Sequence, residues 1–109
     1  MAEITVQQIS LSGLVPTAGT AAGASGDTVL NNGRMYIEVE DTGTTAPTVT
    51  ITSQVDCNQG ETHNIEVDIA SGSKAKIGPF PPNRFNNSDN MIEVSYSSET
   101  DVIISAFSE

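Results

Sequence analysis

The sequence contains few of the residues that catalysis or nucleic-acid binding requires. Its 109 residues include no Trp, one Cys, one His and four Lys or Arg. A single thiol excludes an intrachain disulfide, and with it a disulfide-stapled secreted scaffold. No apolar run approaches the length that spans a membrane, and residues 1–6 lack the basic and apolar regions of a secretory signal. We therefore expect a polypeptide that is made and kept in a reducing cytoplasm until assembly or lysis.

Acidic residues far outnumber basic ones. Fourteen Asp and Glu against four Lys and Arg give a formal charge of −10. Nucleic-acid binding needs clustered Lys and Arg that displace counterions from phosphates, so this composition disfavours nucleic acid and, for the same reason, anionic membranes. Two interpretations of the charge stay open. It keeps the protein soluble, or it provides long-range attraction to a basic partner surface.

The sequence does contain many short runs in which apolar and polar residues alternate. Residues 35–39, 49–51, 65–69 and 92–96 follow this period of two. Each run predicts a strand with one buried and one solvent-facing side, and turn-forming residues separate the runs. A hydrophobic fraction of 37% suits a thin sandwich. We predict one all-β domain over residues 1–109, an antiparallel β-sandwich or barrel of about seven to nine short strands, and the composition favours the sandwich.

The first strand changes phase along its length. Ile4 and Val6 share one phase, whereas Ile9 and Leu11 share the other. A β-bulge at residues 7–8 would let both pairs face the core. Alternatively, the strand crosses between two sheets at that point.

Two further segments do not follow simple alternation. Residues 102–104 are all apolar, which predicts a strand that is central or covered on both faces, and we favour a core strand over an oligomer interface. Residues 12–27 are small and uncharged until Asp27. We predict a long flexible or arm-like loop there, either a mobile surface loop or an arm that becomes ordered against a neighbour.

Reactive side chains are too few to predict a catalytic centre. Cys57 and His63 flank a turn and are a conceivable nucleophilic pair, but the sequence gives no sign of an orienting group or a pocket. Zinc needs more Cys or His ligands. The acidic residues are mostly expected to face outward, and Glu38, Glu40 and Asp41 do not follow calcium-loop spacing, so at most a weak surface cation site remains. We expect no enzymatic activity, no catalytic residue, no metal ion and no cofactor.

The segment at residues 76–87 concentrates rare residue types. It holds three of the five prolines and two of the three phenylalanines. Proline fixes φ and removes backbone donors, so we predict a stiff extended connection and not an interior strand. Its two Phe rings either plug the end of the sandwich or form part of a rigid contact edge for a neighbouring subunit. The candidate protein-contact residues are Leu14, Val15, Pro16, Pro79, Phe80, Pro81, Pro82, Arg84 and Phe85.

Three segments of the chain resemble a known protein family. They are residues 27–39, in which Asn-Gly-Arg precedes a strand, the Pro-Thr-Val-Thr-Ile run at 47–51, and the Ile-Gly-Pro-Phe-Pro-Pro run that opens residues 77–86. In this order they resemble a family of small tailed-bacteriophage virion proteins, often encoded beside the major capsid protein, over most of residues 26–107. The resemblance implies a β-sandwich or jelly-roll decoration (cement) protein on the outside of an icosahedral head, often a trimer, and it transfers no catalytic residues.

The expected function is therefore capsid decoration, in which the protein binds the outer surface of the head and stabilises the capsid lattice. The expected partners are the major capsid protein and further copies of the chain, with a trimer favoured, and the expected location is the virion after synthesis in the host cytoplasm. The alternative is a head-fibre or tail-associated module for carbohydrate binding and host attachment. For that role Tyr36, which the alternation places outward, is the best candidate aromatic ring.

Overall fold

Two β-sheets pack face to face around one hydrophobic core. The computed structural model describes residues 2–16, 19–55, 59–60 and 63–109. Of the described residues, 44% lie in strands and 4% in helix, which confirms the predicted all-β sandwich. The elements in chain order are β1 (Ala2–Ile4), β2 (Val6–Gln8), β3 (Thr20–Ala21), β4 (Asp27–Leu30), β5 (Met35–Asp41), β6 (Thr48–Ile51), β7 (Ile65–Asp68), β8 (Lys74–Ile77), α1 (Pro82–Phe85), β9 (Met91–Tyr96) and β10 (Val102–Ser108).

The strand order shows a mixed rather than a purely antiparallel sandwich. The first sheet has the order β1-β4-β9-β6-β7, and the second has the order β2-β10-β5-β8, with β3 also paired to β10. The pairs β1–β4 and β2–β10 are parallel, and the other pairs in the described chain are antiparallel. The described residues form ten strands, which is more than the predicted seven to nine. The difference arises from β1, β2 and β3, which are only two or three residues long and are hard to recognise in the sequence.

The N-terminal segment contributes one strand to each sheet. β1 pairs with β4 in the first sheet, and after Thr5 the chain enters the second sheet as β2. The chain does cross between the sheets, which is one of the two predicted alternatives, but it crosses at Thr5 and not at residues 7–8. The crossing therefore separates Ile4 from Val6 and does not account for the phase of Ile9 and Leu11. The bulge interpretation is wrong, because Ile9 is 39% exposed and Leu11 is fully exposed, so this second pair does not face the core.

The core is built from the inward-facing residues of both sheets. Along β5, buried Met35, Ile37 and Val39 alternate with half-buried outward residues, as the sequence pattern predicts. The principal buried apolar residues of the other long strands are Val29, Val49, Ile51, Ile92, Val94, Val102, Ile104 and Ala106. Burial of this apolar surface is the main force that holds the two sheets together.

β10 is a central strand that is covered on its outer side by the segment before β3. Its outward residues are Ile103, Ser105 and Phe107, and Phe107 is only 8% exposed. Gly19 lies so close above Ile103 that any added side chain would overlap it. The prediction of a central core strand is thus confirmed, whereas its outer side is only partly covered, since Ile103 and Ser105 are half-buried. The predicted loop at residues 12–27 is not entirely loop, since it contains β3 and ends in β4.

Two buried carboxyl groups contradict the expectation that acidic residues face outward. Asp27 and Asp41 are both fully buried. Asp41 accepts hydrogen bonds from the backbone N–H groups of Gly43 and Ala46, at 3.0 Å each. Asp27 accepts from the Tyr96 hydroxyl at 2.7 Å and from the Gly23 N–H at 3.1 Å. Both therefore act as internal acceptors that fix neighbouring turns.

The Asp27–Tyr96 hydrogen bond generates a prediction about stability and pH. Burial, the hydrogen bond to Asp27 and the charge of Asp27 raise the pKa of Tyr96 well above its usual range. The neutral phenol is thus favoured by folding, so its contribution is fully present below a pH of about 10, where unfolded Tyr ionises, and is lost as the pH rises further. Tyr96→Phe should lower the free energy of unfolding by about 1–3 kcal/mol at neutral pH, because buried Asp27 Oδ2 loses one of its two donors and keeps only the Gly23 N–H.

Denaturant titrations from neutral to alkaline pH would measure this effect. We expect the wild-type free energy of unfolding to fall above a pH of about 10, and Tyr96→Phe should reduce that fall. Tyr36→Phe, which changes a tyrosine on the outer side of β5, is the matched control and should cost less at neutral pH. Equal stability losses in the two variants would contradict the role assigned to the Asp27–Tyr96 hydrogen bond.

Candidate interaction surface

The proline-rich segment folds back onto the end of its own sandwich. Phe80 and Phe85 are each 1% exposed, and their rings meet edge to face with centroids 5.9 Å apart. This arrangement confirms that the two rings plug the sandwich. It also corrects the candidate contact set, because two rings buried in the core present no surface to a neighbouring subunit.

The prediction of a fully extended segment is wrong, because part of the segment forms a helical turn. Pro81 precedes the short helical turn α1, and Pro82 occupies its beginning. Proline is well suited to this position because its fixed φ matches a helix and its missing N–H has no partner in the first turn. Pro79, Pro81 and Pro82 remain exposed, so these three candidate contact residues are on the surface.

Asn31 holds the segment in place, a role that is not evident from its position in the turn-forming run Asn31-Asn32-Gly33. Its Nδ2 donates to the Phe80 carbonyl at 3.0 Å and to Asn86 Oδ1 at 2.7 Å, and its Oδ1 accepts from the Gly33 N–H at 2.9 Å. The side chain is 5% exposed. The burial of Asn31 could have been inferred from the period of two along the chain, because Asp27, Val29 and Asn31 all lie on the inward-facing side.

Arg84 is engaged within the chain. Its guanidinium carbon lies 4.7 Å from the centroid of the Phe85 ring, and its Nη2 donates to the His63 carbonyl at 2.7 Å. Both contacts favour one side-chain position. Arg84 therefore contributes first to fixing α1 on the sandwich, and less to any partner than its residue type implies.

The outer side of the second sheet combines apolar and oppositely charged side chains. Strand register places Tyr36 beside Phe107, with ring centroids 5.5 Å apart, and places Glu38 beside Lys76. Lys74 forms an ion pair with Glu38 at 3.6 Å. We call this surface the mixed face; its members are Tyr36, Glu38, Glu40, Lys74, Lys76, Ile103, Ser105 and Phe107.

Both predicted contact elements reach the mixed face. A cavity of about 300 Å³ lies between this face and Leu14 and Pro16 of the N-terminal segment. A second cavity, of about 330 Å³, lies at its rim and is lined by Pro79. Tyr36 and Ile9 line both cavities. Val15 is on the same segment and is 91% exposed. The structure thus brings Leu14, Pro16 and Pro79 to one side of the molecule, which the sequence alone did not reveal.

The outer side of the first sheet has a different chemistry. Its outward positions carry hydroxyl and carboxyl groups, as in the cross-strand pairs Thr48–Asp68 and Thr50–Glu66. Thr48 Oγ1 donates to Asp68 at 2.7 Å. None of the five strands of this sheet contains Lys or Arg. We call this surface the acidic face; its members are Glu3, Thr28, Thr48, Thr50, Glu66, Asp68, Glu93 and Ser95.

The residues that were weighed for chemistry do not form a cluster in the described structure. Cys57 lies outside the described residues, and His63 is exposed. Among the described residues, no group of three or more His, Cys, Asp or Glu is placed to hold a metal ion. Glu38 and Glu40 face outward from β5, whereas Asp41 faces the core, so these three carboxyl groups do not converge. No helix in the described part of the chain has the length and apolarity to cross a membrane.

Comparison with known proteins identifies no relative: no protein-family model, curated protein sequence or solved structure matches the chain.

Asn31 provides a test of how the proline-rich segment is held. Asn31→Asp keeps the shape of the side chain but replaces the amide nitrogen with a carboxylate oxygen. That oxygen cannot donate to the Phe80 carbonyl or to Asn86 Oδ1, which are both acceptors. We expect a loss of about 1–3 kcal/mol for each buried group left unpaired. Thermal and denaturant unfolding would measure the loss.

The adjacent Asn32 provides the matched control. Asn32 is exposed and donates one hydrogen bond, to Ser108 Oγ at 2.9 Å. Asn32→Asp should therefore cost less than half as much as Asn31→Asp. If the two substitutions have equal effects, Asn31 does not hold the segment as we conclude.

Proposed function

We propose that this protein is a non-enzymatic virion component that binds the outer surface of a bacteriophage head and stabilises the capsid lattice. The proposal combines the resemblance of residues 26–107 to small tailed-phage virion proteins with one structural observation. The N-terminal segment and the proline-rich segment meet on the mixed face, where Tyr36 and Ile9 line the cavities beside both. A surface built from two separate segments and rich in apolar groups is typical of a protein-contact site.

The proposed mechanism is multivalent bridging. Each copy buries apolar surface of the mixed face and its rim against neighbouring copies and against the major capsid protein, with a trimer as the expected assembly. Many weak contacts on one lattice raise the effective concentration of each further contact, so that high avidity needs no single strong site. The summed contacts resist the internal pressure of packaged DNA.

The two faces support this arrangement on electrostatic grounds. The acidic face carries Glu3, Glu66, Asp68 and Glu93 and no compensating cation on its strands. Directed toward solvent, such a face keeps particles apart and repels free DNA. The mixed face, in which lysines and glutamates are adjacent, is the face with the lower electrostatic cost of burial against a neighbour.

Tyr36 supports a second candidate function, carbohydrate binding for host attachment. Its half-buried ring packs on Phe107 beside a cavity of about 300 Å³ that Glu38 and Lys76 also line. An aromatic ring flanked by polar groups is a suitable arrangement for a sugar, although the sandwich fold alone does not decide function. A glycan array in which the protein binds a sugar, and in which Tyr36→Ala removes that binding, would favour this candidate.

Co-sedimentation with heads tests the decoration proposal directly. Purified protein is mixed with mature heads of its own phage from which this protein has been stripped. We expect saturable binding at a fixed number of copies per capsid subunit. A folded protein that does not bind heads would overturn the proposal.

A matched pair of variants locates the contact. Val15 is 91% exposed on the N-terminal segment, and Leu30 is 51% exposed at the end of β4 in the first sheet. Val15→Glu should weaken binding to heads by about tenfold or more, because it puts a charge into an apolar contact. Leu30→Glu should leave binding nearly unchanged. A larger effect of Leu30→Glu would assign the contact to the first sheet instead.

A further inference from the structure

The chain's formal charge is distributed unevenly between its surfaces. The mixed face and its rim carry three basic residues, Arg34, Lys74 and Lys76, and three acidic residues, Glu38, Glu40 and Glu109. Their formal charges cancel. The remainder of the sequence holds eleven of the 14 acidic residues and one of the four basic residues, Arg84. The whole excess of −10 therefore lies outside the mixed face.

This distribution determines where two copies can approach one another. A chain of charge −10 repels its copies over most of its surface. The repulsion is smallest where the local charges sum to zero. On the mixed face the signs also alternate by strand, with lysines on β8 and glutamates on β5. Two such faces offer each glutamate of one copy a lysine of the other, so the face is complementary to itself.

Exposed apolar side chains concentrate beside the same face. The large hydrophobic residues that are exposed in the described chain are Ile9, Leu11, Val15, Leu30 and Val55. Three of these five belong to residues 9–16, the segment that borders the mixed face. Leu11 and Val15, at about full and 91% exposure, have almost no contact within their own chain. Apolar surface of this kind beside a neutral face marks an association site.

The β8 edge of the second sheet is unsuited to the same purpose. β8 is one of the two edge strands in the order of this sheet, with the sequence Lys74-Ala75-Lys76-Ile77 and both lysines exposed. Antiparallel pairing of two β8 strands from two copies would bring lysines together. Charged side chains on an edge strand oppose such edge-to-edge pairing. Association through the flat side of the sheet avoids this repulsion.

We propose that a second copy of this chain docks on the mixed face. In the contact, Leu11 and Val15 of each copy pack against the apolar side chains of the other, and Glu38 and Glu40 face Lys74 and Lys76 across the interface. A self-complementary contact of this kind is two-fold, so it joins copies in pairs and is distinct from the contacts that would build the trimer of the proposed function. The inference rests on the proposed function for its role in the virion, but it concerns an association that is measured without heads.

Sedimentation velocity of the purified chain, over micromolar to millimolar concentrations, tests the proposal. We expect reversible self-association of the wild-type protein. The double variant Leu11→Ser/Val15→Ser should raise the dissociation constant by about tenfold or more, because two exposed apolar contacts are lost. Leu30→Ser, on the first sheet, is the matched apolar control and should leave the dissociation constant unchanged. A wild-type protein that remains monomeric at every concentration would overturn the proposal.

Charge variants test the complementarity separately. Lys74→Glu makes the mixed face acidic and should weaken association, and the exchange Lys74→Glu/Glu40→Lys should restore most of it. The control Thr44→Glu/Ser88→Glu changes the net charge by the same amount at two exposed loop residues outside the face. If the control weakens association as much as Lys74→Glu does, the effect is one of net charge and the assigned face is wrong.

Binding to heads is a separate readout. Self-association without binding to heads would support the docking face and overturn the decoration proposal. Binding to heads by a protein that stays monomeric would support the decoration proposal and overturn the docking face.

Discussion

The pairing of β10 on both sides is the constraint on which the rest of the molecule depends. Along one side it pairs with β5 over its whole length, and along the other it pairs first with β3 and then with β2. Because Ile103 and Phe107 point away from the core, its outer side also needs cover. The segment between β2 and β3 supplies part of that cover. The same strand thus builds the core, anchors the N-terminal segment and creates the mixed face.

Buried polar groups fix the turns of a chain that has no disulfide. Asp27, Asn31 and Asp41 are each buried, and each accepts a hydrogen bond from the backbone of a neighbouring turn. A buried polar group without a partner is costly, so the paired oxygens of these side chains strongly favour the turn geometry that supplies their donors, although Asp27 Oδ1 has no partner. Asn31 extends the principle to a long-range contact, because it joins the β4–β5 turn to the proline-rich segment.

The parts of the fold that depend on local pattern could be predicted from the sequence, and those that depend on distant neighbours could not. Alternation alone located β5, β6, β7 and β9 and assigned their faces, because one buried side imposes a period of two. It missed β8, an edge strand in which lysines take the outward positions and the inward ones are Ala75 and Ile77. Alternation indicated a strand at Ile4 and Val6 but not its division between two sheets, because β1 and β2 are only three residues long, and the two-residue β3 shows no period. Their placement is set by the open edges of β4 and β10.

For the candidate contact residues, too, some features follow from the local sequence and others depend on distant parts of the chain. Three prolines correctly excluded an interior strand, but they did not show that Phe80 and Phe85 turn inward, since that depends on the space left at the end of the sandwich. Nor did sequence spacing place Leu14 and Pro79 on one side of the molecule, because they are far apart in the chain. Residue type identified the two segments that contribute candidate contact residues. The fold determines which residues of those segments are exposed.

The contrast between the two outer faces is hard to explain by solubility alone. Solubility requires net charge, and any distribution of the 14 acidic residues would provide it. It does not require that Lys74 and Lys76, half of the basic residues, lie directly opposite glutamates of the next strand while the other sheet has none. It also does not account for the exposure of Leu11 and Val15, which opposes solubility. The proposed contact surface would account for both, because a contact needs local neutrality and apolar area at the same place. In that proposal, the charge of the opposite face limits association to one side.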